Sequence, residues 1–260
     1  MARIALTLEY SGSRYCGWQR QKHSPSIQQE VEQALSFVAD ESVELVVAGR
    51  TDTGVHACEQ VAHFDTSAIR SSRSWILGAN CRLPPDIRLL WVDEIDESFH
   101  ARFSAEARSY RYIIYNENVP SALFHDKASW EHRPLDDGKM HDAARVLIGE
   151  HDFSAFRAAG CQARSPVRCI ESLSVTRRNQ LLFIDVKANA FLHHMVRNIA
   201  GSLMAIGKGE QDGAWLEQVL HGRDRRAAAM TAPAGGLYFV RAFYPPNFKL
   251  VQRERRPELF

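Results

Sequence analysis

The residues whose types and spacing could do chemistry are concentrated in one decapeptide, Ala48-Gly49-Arg50-Thr51-Asp52-Thr53-Gly54-Val55-His56-Ala57. Its centre is Asp52, a carboxylate set between Arg50 and His56. Neighbours of that kind can keep an acid ionised and aimed, and Gly49 and Gly54 leave no side chain to hold a ligand off. The same composition suits an Asx-turn closed by a surface ion pair, because Asp, Thr and Gly cluster in ordinary turns. Spacing alone does not choose between the two.

Arginine is the second chemical signal, with 26 Arg against 6 Lys. Its planar fork suits phosphates and base edges better than a lysine point charge does, although a bias in codon usage gives the same ratio. Arg157, Arg164 and Arg168 fall in a polar stretch over 151–168 with little helical or strand period. Phosphate contact and plain solvated charge both suit that stretch. Arg225 lies in the basic knot Arg223-Asp224-Arg225-Arg226. Arg14-Tyr15-Cys16-Gly17-Trp18-Gln19-Arg20-Gln21-Lys22 interleaves aromatics with cations and could stack bases, or Trp18 could simply close a core edge. His193-His194 has no metal-site spacing, since adjacent histidines diverge around a helix. Asp52-Thr53-Gly54 is also the aspartic-protease tripeptide. That chemistry needs two such acids sharing a proton, and no second Asp-Thr-Gly exists. A non-catalytic RNA-binding module is the other competing class.

The elements that must position these residues follow from periodicity. The apolar run Val43-Glu44-Leu45-Val46-Val47 reads as a buried strand that delivers the decapeptide at its end. Arg3–Tyr10 alternates as a strand, and Ser26-Ile27-Gln28-Gln29 caps a helix with Ile27, Val31, Leu35 and Val38 on one face. Gln60–Asp65 and Ile87–Val92 read as strands around a short helix over Ser74–Asn80. This strand, helix, strand, strand, helix, strand series is ferredoxin-like α+β. Phe99-His100-Ala101-Arg102-Phe103-Ser104 leads to a second half. That half has a strand over Arg108–Tyr115, a helix over Asp136–Ile148, and a hairpin of Ile170–Arg177 with Leu181–Lys187. Asn189 is expected to cap a helix over Ala190–Leu203, placing Arg197 beside His193 and off the apolar stripe. A helix through Trp215 and Leu220 and a strand over Leu237–Tyr244 complete it. The expected domains are 1–105, 106–245 and a tail over 246–260 that wanders in solvent.

With 260 residues, 45% hydrophobic and 24% charged, the chain is long enough for two domains with sizeable cores. A net charge of +1 gives no global pull toward nucleic acid. No apolar run approaches a membrane span, and the opening residues lack a signal-peptide pattern, so no membrane role and a cytoplasmic location are expected. The five cysteines are scattered without a C-x-x-C pair, as reduced thiols would be.

With these residues in view, the sequence resembles the tRNA pseudouridine synthase A family over nearly its whole length. The resemblance is carried by Tyr10-x-Gly12, Gly17-Trp18-Gln19-Arg20-Gln21, Gly49-Arg50-Thr51-Asp52-x-Gly54-Val55-His56-Ala57 and Phe99-His100-Ala101-Arg102-Phe103-Ser104. It continues in Arg108-Ser109-Tyr110-Arg111-Tyr112, Phe153-x-x-Phe156-Arg157, Cys161-x-x-x-Ser165-Pro166-x-Arg168, Phe191-Leu192-x-His194-Met195-Val196-Arg197 and Ala232-Pro233-Ala234-x-Gly236-Leu237-Tyr238. Thr53 departs from the alanine that many members carry.

The resemblance implies two ferredoxin-like, RRM-like α/β halves with antiparallel sheets, joined across a central active-site cleft. It implies isomerisation of uridine to pseudouridine at positions 38, 39 and 40 of the tRNA anticodon stem-loop, by a homodimer, without metal or organic cofactor. Asp52 would be the nucleophile, attacking ribose C1′ or base C6, or would draw off a ribose proton to give a glycal. The paired uridine must be extruded first. Arg50 would fill the vacated space, Tyr110 would stack on the flipped base, Arg197 would hold Asp52 ionised and Leu192 would wall the pocket. His56 is counted with the substrate-binding residues. Arg157, Arg164, Arg168 and Arg225 would hold the RNA backbone.

Overall fold

A computed structural model of the chain describes residues 1–253 and 255–258. The protein is α+β and forms two compact units, Met1–Glu106 with Tyr238–Glu258, and Ala107–Leu237. The second expected domain, 106–245, is therefore corrected. The last strand and everything described after it belong with the first unit.

In the first unit, β1 (Ala2–Tyr10) lies between β4 (Ile87–Ile95) and β3 (His56–Thr66), antiparallel to both. The other edge of β3 receives β2 (Val46–Val47) antiparallel and β10 (Leu237–Phe243) parallel, the latter through Tyr238 opposite His56. Helices α1 (Ile27–Ala39) and α2 (Ser72–Arg82) pack beside each other. Ser26 caps α1 by accepting from the Gln29 amide, and Ile27, Val31 and Leu35 are buried on one face, as their spacing requires.

The expected strand over Val43–Val47 shrinks to two residues, and the reason lies in α1. The Val43 amide donates to Ser36 Oγ at 2.9 Å and the Leu45 amide to Glu32 Oε1 at 2.9 Å. Side chains of the helix thus take the donors that a ladder would have used. Burial still alternates, with Val43, Leu45 and Val47 inside.

The expectation of a wandering tail also fails. Phe248 meets the Phe99 ring at 5.2 Å, Gln252 donates to the Ala242 carbonyl at 2.9 Å, and the Arg253 amide donates to Glu59 at 2.8 Å. Arg255 pairs with Glu9 at 3.2 Å. The terminal arginines look solvated in sequence because their partners lie some two hundred residues back.

In the second unit, β5 (Ala107–Asn116), β9 (Leu181–Ala188), β8 (Val167–Arg178) and β7 (Gly149–Asp152) form an antiparallel sheet in that order, with β6 (Ser129–Glu131) parallel to β5. Helix α3 (Asp137–Ala144) is capped by Asp136 and packs on β8 and on α4 (Met195–Gly207). Helix α5 (Gly213–Gly222) packs on α3. Two expectations are corrected here. The irregular stretch ends at Pro166, because Val167 and Arg168 pair with Asp152 and His151 as β8 and β7.

The helix expected over Ala190–Leu203 begins only at Met195. Asn189 Oδ1 accepts from the amides of Cys169 and Ala190 at 3.0 and 2.8 Å, tying it to β8 rather than capping a helix. The His193 carbonyl accepts from Ala158 at 3.0 Å, and His194 takes a left-handed φ of 60°. These bonds hold 190–194 in a loop, so Leu192, though buried, is not on the helix, and His193 is not one helical turn from Arg197.

Candidate active site

The decapeptide forms the connection between β2 and the start of β3, and it is tied at nearly every residue. The Ala48 amide donates to the Val61 carbonyl at 2.8 Å. Gln60, fully buried on β3, donates to the Gly49 carbonyl at 2.8 Å. The Thr51 hydroxyl meets the Tyr10 hydroxyl at 2.8 Å, and its carbonyl accepts from the Trp18 amide at 3.0 Å. The Val55 amide closes the turn on the Asp52 carbonyl at 3.1 Å. Two glycines permit this closeness. A side chain at Gly12 would meet the Val55 carbonyl oxygen at 2.0 Å. One at Gly17, whose φ is +87°, would meet the Thr51 carbonyl oxygen at 2.7 Å.

On this frame Thr51 is buried, Asp52 is half-buried, and Arg50 and Thr53 are exposed. The loop therefore turns one face into the core and presents the Asp52 carboxylate and the Arg50 guanidinium from the other. Trp18 is only 1% exposed, with its ring 6.0 Å from that of Tyr10, so it closes the core edge under the loop. Two of the cations around it are paired, Arg14 with Asp86 and Arg20 with Glu32.

His56 was expected to touch substrate. It is 2% exposed, its Nδ1 accepts from the Gly12 amide at 3.1 Å, and its ring stacks on Tyr238 at 4.6 Å. An imidazole so placed holds the end of the loop.

The second unit carries the remaining residues. On β5, Tyr112 is fully buried. It is bonded to Ser129 and the Pro233 carbonyl, and burial pushes its phenol well above the ordinary range. Tyr110, two residues earlier, is half-buried and meets Phe191 edge to face at 4.9 Å. Of the two tyrosines on that face, Tyr110 is the one with ring surface to offer. Arg197, half-buried near the start of α4, donates from Nε to the Ala232 carbonyl at 2.8 Å, and the Ala232 amide returns a bond to the Arg197 carbonyl at 3.1 Å. Leu192 is 4% exposed.

The four arginines expected on RNA backbone separate by environment. Arg164 is exposed. Arg157 spans its own loop by donating to the Cys161 and Ala163 carbonyls. Arg168 donates to the Ser165 and Val167 carbonyls, and burial lowers its pKa. Arg225 turns inward to Asn198 Oδ1 at 3.1 Å and Thr231 Oγ1 at 3.0 Å. Asn198, fully buried, also donates to the Phe156 carbonyl at 2.8 Å, so Arg225 belongs to a polar hub beneath α4. Replacing Arg225 with Ala leaves part of that hub unsatisfied and is expected to cost about 1–3 kcal/mol of stability, read as a lower Tm without RNA present.

Sequence reasoning did not find Tyr10, Gln60 or Tyr238 as supports of the loop. Tyr10 and Tyr238 lie in strands forty or more residues away, and Gln60, eleven residues from Gly49, sits in a strand pattern that does not show where its amide turns.

A sequence profile described as "tRNA pseudouridine synthase" matches residues 7–104 and 143–245. The chain is 54% identical over 250 residues to a tRNA pseudouridine synthase A of Hydrogenovibrio crunogenus, covering 96% of this chain and 95% of that one. It is 55% identical over 248 residues to one of Psychromonas ingrahamii, covering 95% of each. For a Pseudomonas aeruginosa relative of the same description the identity is 51% over 258 residues, 99% of this chain and 90% of that one.

Proposed function

This chain belongs to the tRNA pseudouridine synthase family, and we propose that it isomerises uridine at positions 38, 39 and 40 of the anticodon stem-loop, with Asp52 as the attacking carboxylate. It is an isomerase acting on tRNA uridine. In such a reaction the bond from ribose C1′ to N1 of uracil breaks, a bond from C1′ to C5 forms, the proton on C5 leaves to solvent and N1 takes a proton up from it. The observation that carries the reading is the half-buried Asp52 at the tip of a loop fixed on both sides, with exposed Arg50 beside it in sequence. A nucleophile gains most when its backbone is already immobile, because the ordering entropy does not fall on the reaction.

The other roles rest on family resemblance. Arg50 would occupy the space of an extruded uridine, and the partly open ring of Tyr110 would stack on the base. Arg197 would supply the cation that favours an ionised acid, and Leu192 an apolar wall. Exposed Arg164 would hold phosphate. Among the described residues no helix is long and apolar enough to cross a membrane. The enzyme would act as a homodimer in the cytoplasm, where tRNA is processed.

The test is tritium release from 5-tritiated uridine in anticodon stem-loops carrying a single uridine at position 38, 39 or 40. Release is expected from each, and none from a stem-loop lacking all three. Release that persists without them would overturn the assignment. In the same substrates Arg164→Ala is expected to weaken binding and reduce the slope of log Kd against log salt by about one, as the loss of one phosphate contact does, with Tm unchanged.

A further inference from the structure

We propose that Tyr10, Thr51 and Gln60 form a buried positioning relay for Asp52, in which the Tyr10 hydroxyl fixes the rotamer of Thr51 and so the backbone that carries the carboxylate. The inference rests on the reading of Asp52 as the attacking group. Tyr10 is 4% exposed, Thr51 6% and Gln60 0%, so none of them reaches substrate and each acts through the loop.

The orientation of the Gln60 amide is set by the network itself. Gln60 Oε1 accepts from the Val61 amide at 3.2 Å, which turns its Nε2 toward the Gly49 carbonyl at 2.8 Å and the Tyr10 oxygen at 3.4 Å. The Tyr10 oxygen is thus the acceptor for Gln60, and the Tyr10 and Thr51 hydroxyls bond each other at 2.8 Å, a contact in which either can donate. Gln60 grips the chain two residues before Thr51, Tyr10 grips its side chain, and the Trp18 amide grips its carbonyl at 3.0 Å. Asp52 follows directly. Burial raises the Tyr10 phenol to about 12, so this hydroxyl keeps its proton across any working pH.

A buried hydroxyl pair could serve stability alone, and the two roles separate in a double replacement. Tyr10→Phe and Thr51→Val each keep shape and strand one partner. Replacing both leaves an apolar pair of the same outline with no stranded hydroxyl, and stability should largely return. If the relay positions Asp52, activity does not return with it. The expected result is a kcat about tenfold or more below wild type in both single variants and in the double variant. KM for an anticodon stem-loop should stay near wild type, and the reduction should be the same factor from pH 6 to pH 9. Thr51→Ser, which keeps the hydroxyl, is expected to recover most of the loss.

Recovery of kcat in the double variant together with Tm would overturn the proposal, as would single variants with wild-type kcat. Asp52→Asn in the same assay separates the two readings. If that variant turns over, the nucleophile assignment has failed. If it is dead while Tyr10→Phe/Thr51→Val is fully active, the relay alone has failed.

Discussion

Asp52→Asn is expected to abolish turnover, by about 10⁴-fold or more, while tRNA binding and Tm stay near wild type. The magnitude is that of removing a nucleophile, since a carboxamide has neither the charge nor the lone-pair basicity to attack carbon. Binding should survive because the neutral side chain has nearly the same outline, and the net charge of the surface facing RNA becomes slightly more favourable. Folding should survive because the replacement leaves in place the bonds to the Gly49 carbonyl, to the Thr51 side chain and carbonyl, and to the Asp52 backbone. Tritium release measures turnover, filter binding measures affinity, and calorimetry measures Tm. A variant that still releases tritium would remove Asp52 from the role of nucleophile and leave the attack to another group. A variant that loses binding with turnover would make Asp52 a binding residue instead of a reactive one.

The first unit was largely legible from periodicity, because its order of elements is written in short runs with clear caps. Ser26 before Ile27 and the alternation of Arg3–Tyr10 are local signals, and local physics decides them. The failures share one cause. Val43–Val47 has the composition of a strand, yet Ser36 and Glu32 claim its amides. Ala190–His194 has the composition of a helix start, yet Asn189 spends its side-chain oxygen on the Cys169 amide and Ala158 takes the His193 carbonyl. In each case a partner remote in sequence outbid the neighbouring residues for a hydrogen bond, and periodicity carries no record of that competition.

The candidate site shows the same division. Asp52 stood out because acid, cation, imidazole and glycine cluster within ten residues. What holds Asp52 in place did not stand out, since Tyr10 and Gln60 bond its neighbours Thr51 and Gly49 from strands that are buried in any case. The arginines illustrate the opposite error. Arg164 in its polar stretch and Arg225 in its basic knot read alike as phosphate contacts, and only the fold separates an exposed arginine from one bonded to Asn198 and Thr231.

Gly12→Ala is expected to lower kcat/KM by about 10²-fold, through displacement of the loop that ends at His56. An added methyl would sit 2.0 Å from the Val55 carbonyl oxygen and 2.7 Å from its carbon. Both are backbone atoms, so no rotamer change can relieve the contact and one chain segment must move. The Gly12 amide also donates to His56 Nδ1 at 3.1 Å, and the Val55 amide closes the turn on the Asp52 carbonyl at 3.1 Å. Pushing Val55 outward therefore strains both bonds and shifts Asp52 on a frame where displacements near 1 Å matter. A cost of about 1–3 kcal/mol from overpacking accompanies it, so activity is measured well below the lowered Tm to keep the two effects apart. Gly222→Ala supplies the comparison. It ends α5, has no positive φ, and an added methyl there meets nothing within 4 Å. That change is expected to leave turnover intact and to raise stability by up to about 1 kcal/mol through helix propensity. Wild-type kcat/KM in Gly12→Ala would mean that the loop yields without moving its carboxylate, and that the close backbone approach at Gly12 has no part in aiming it.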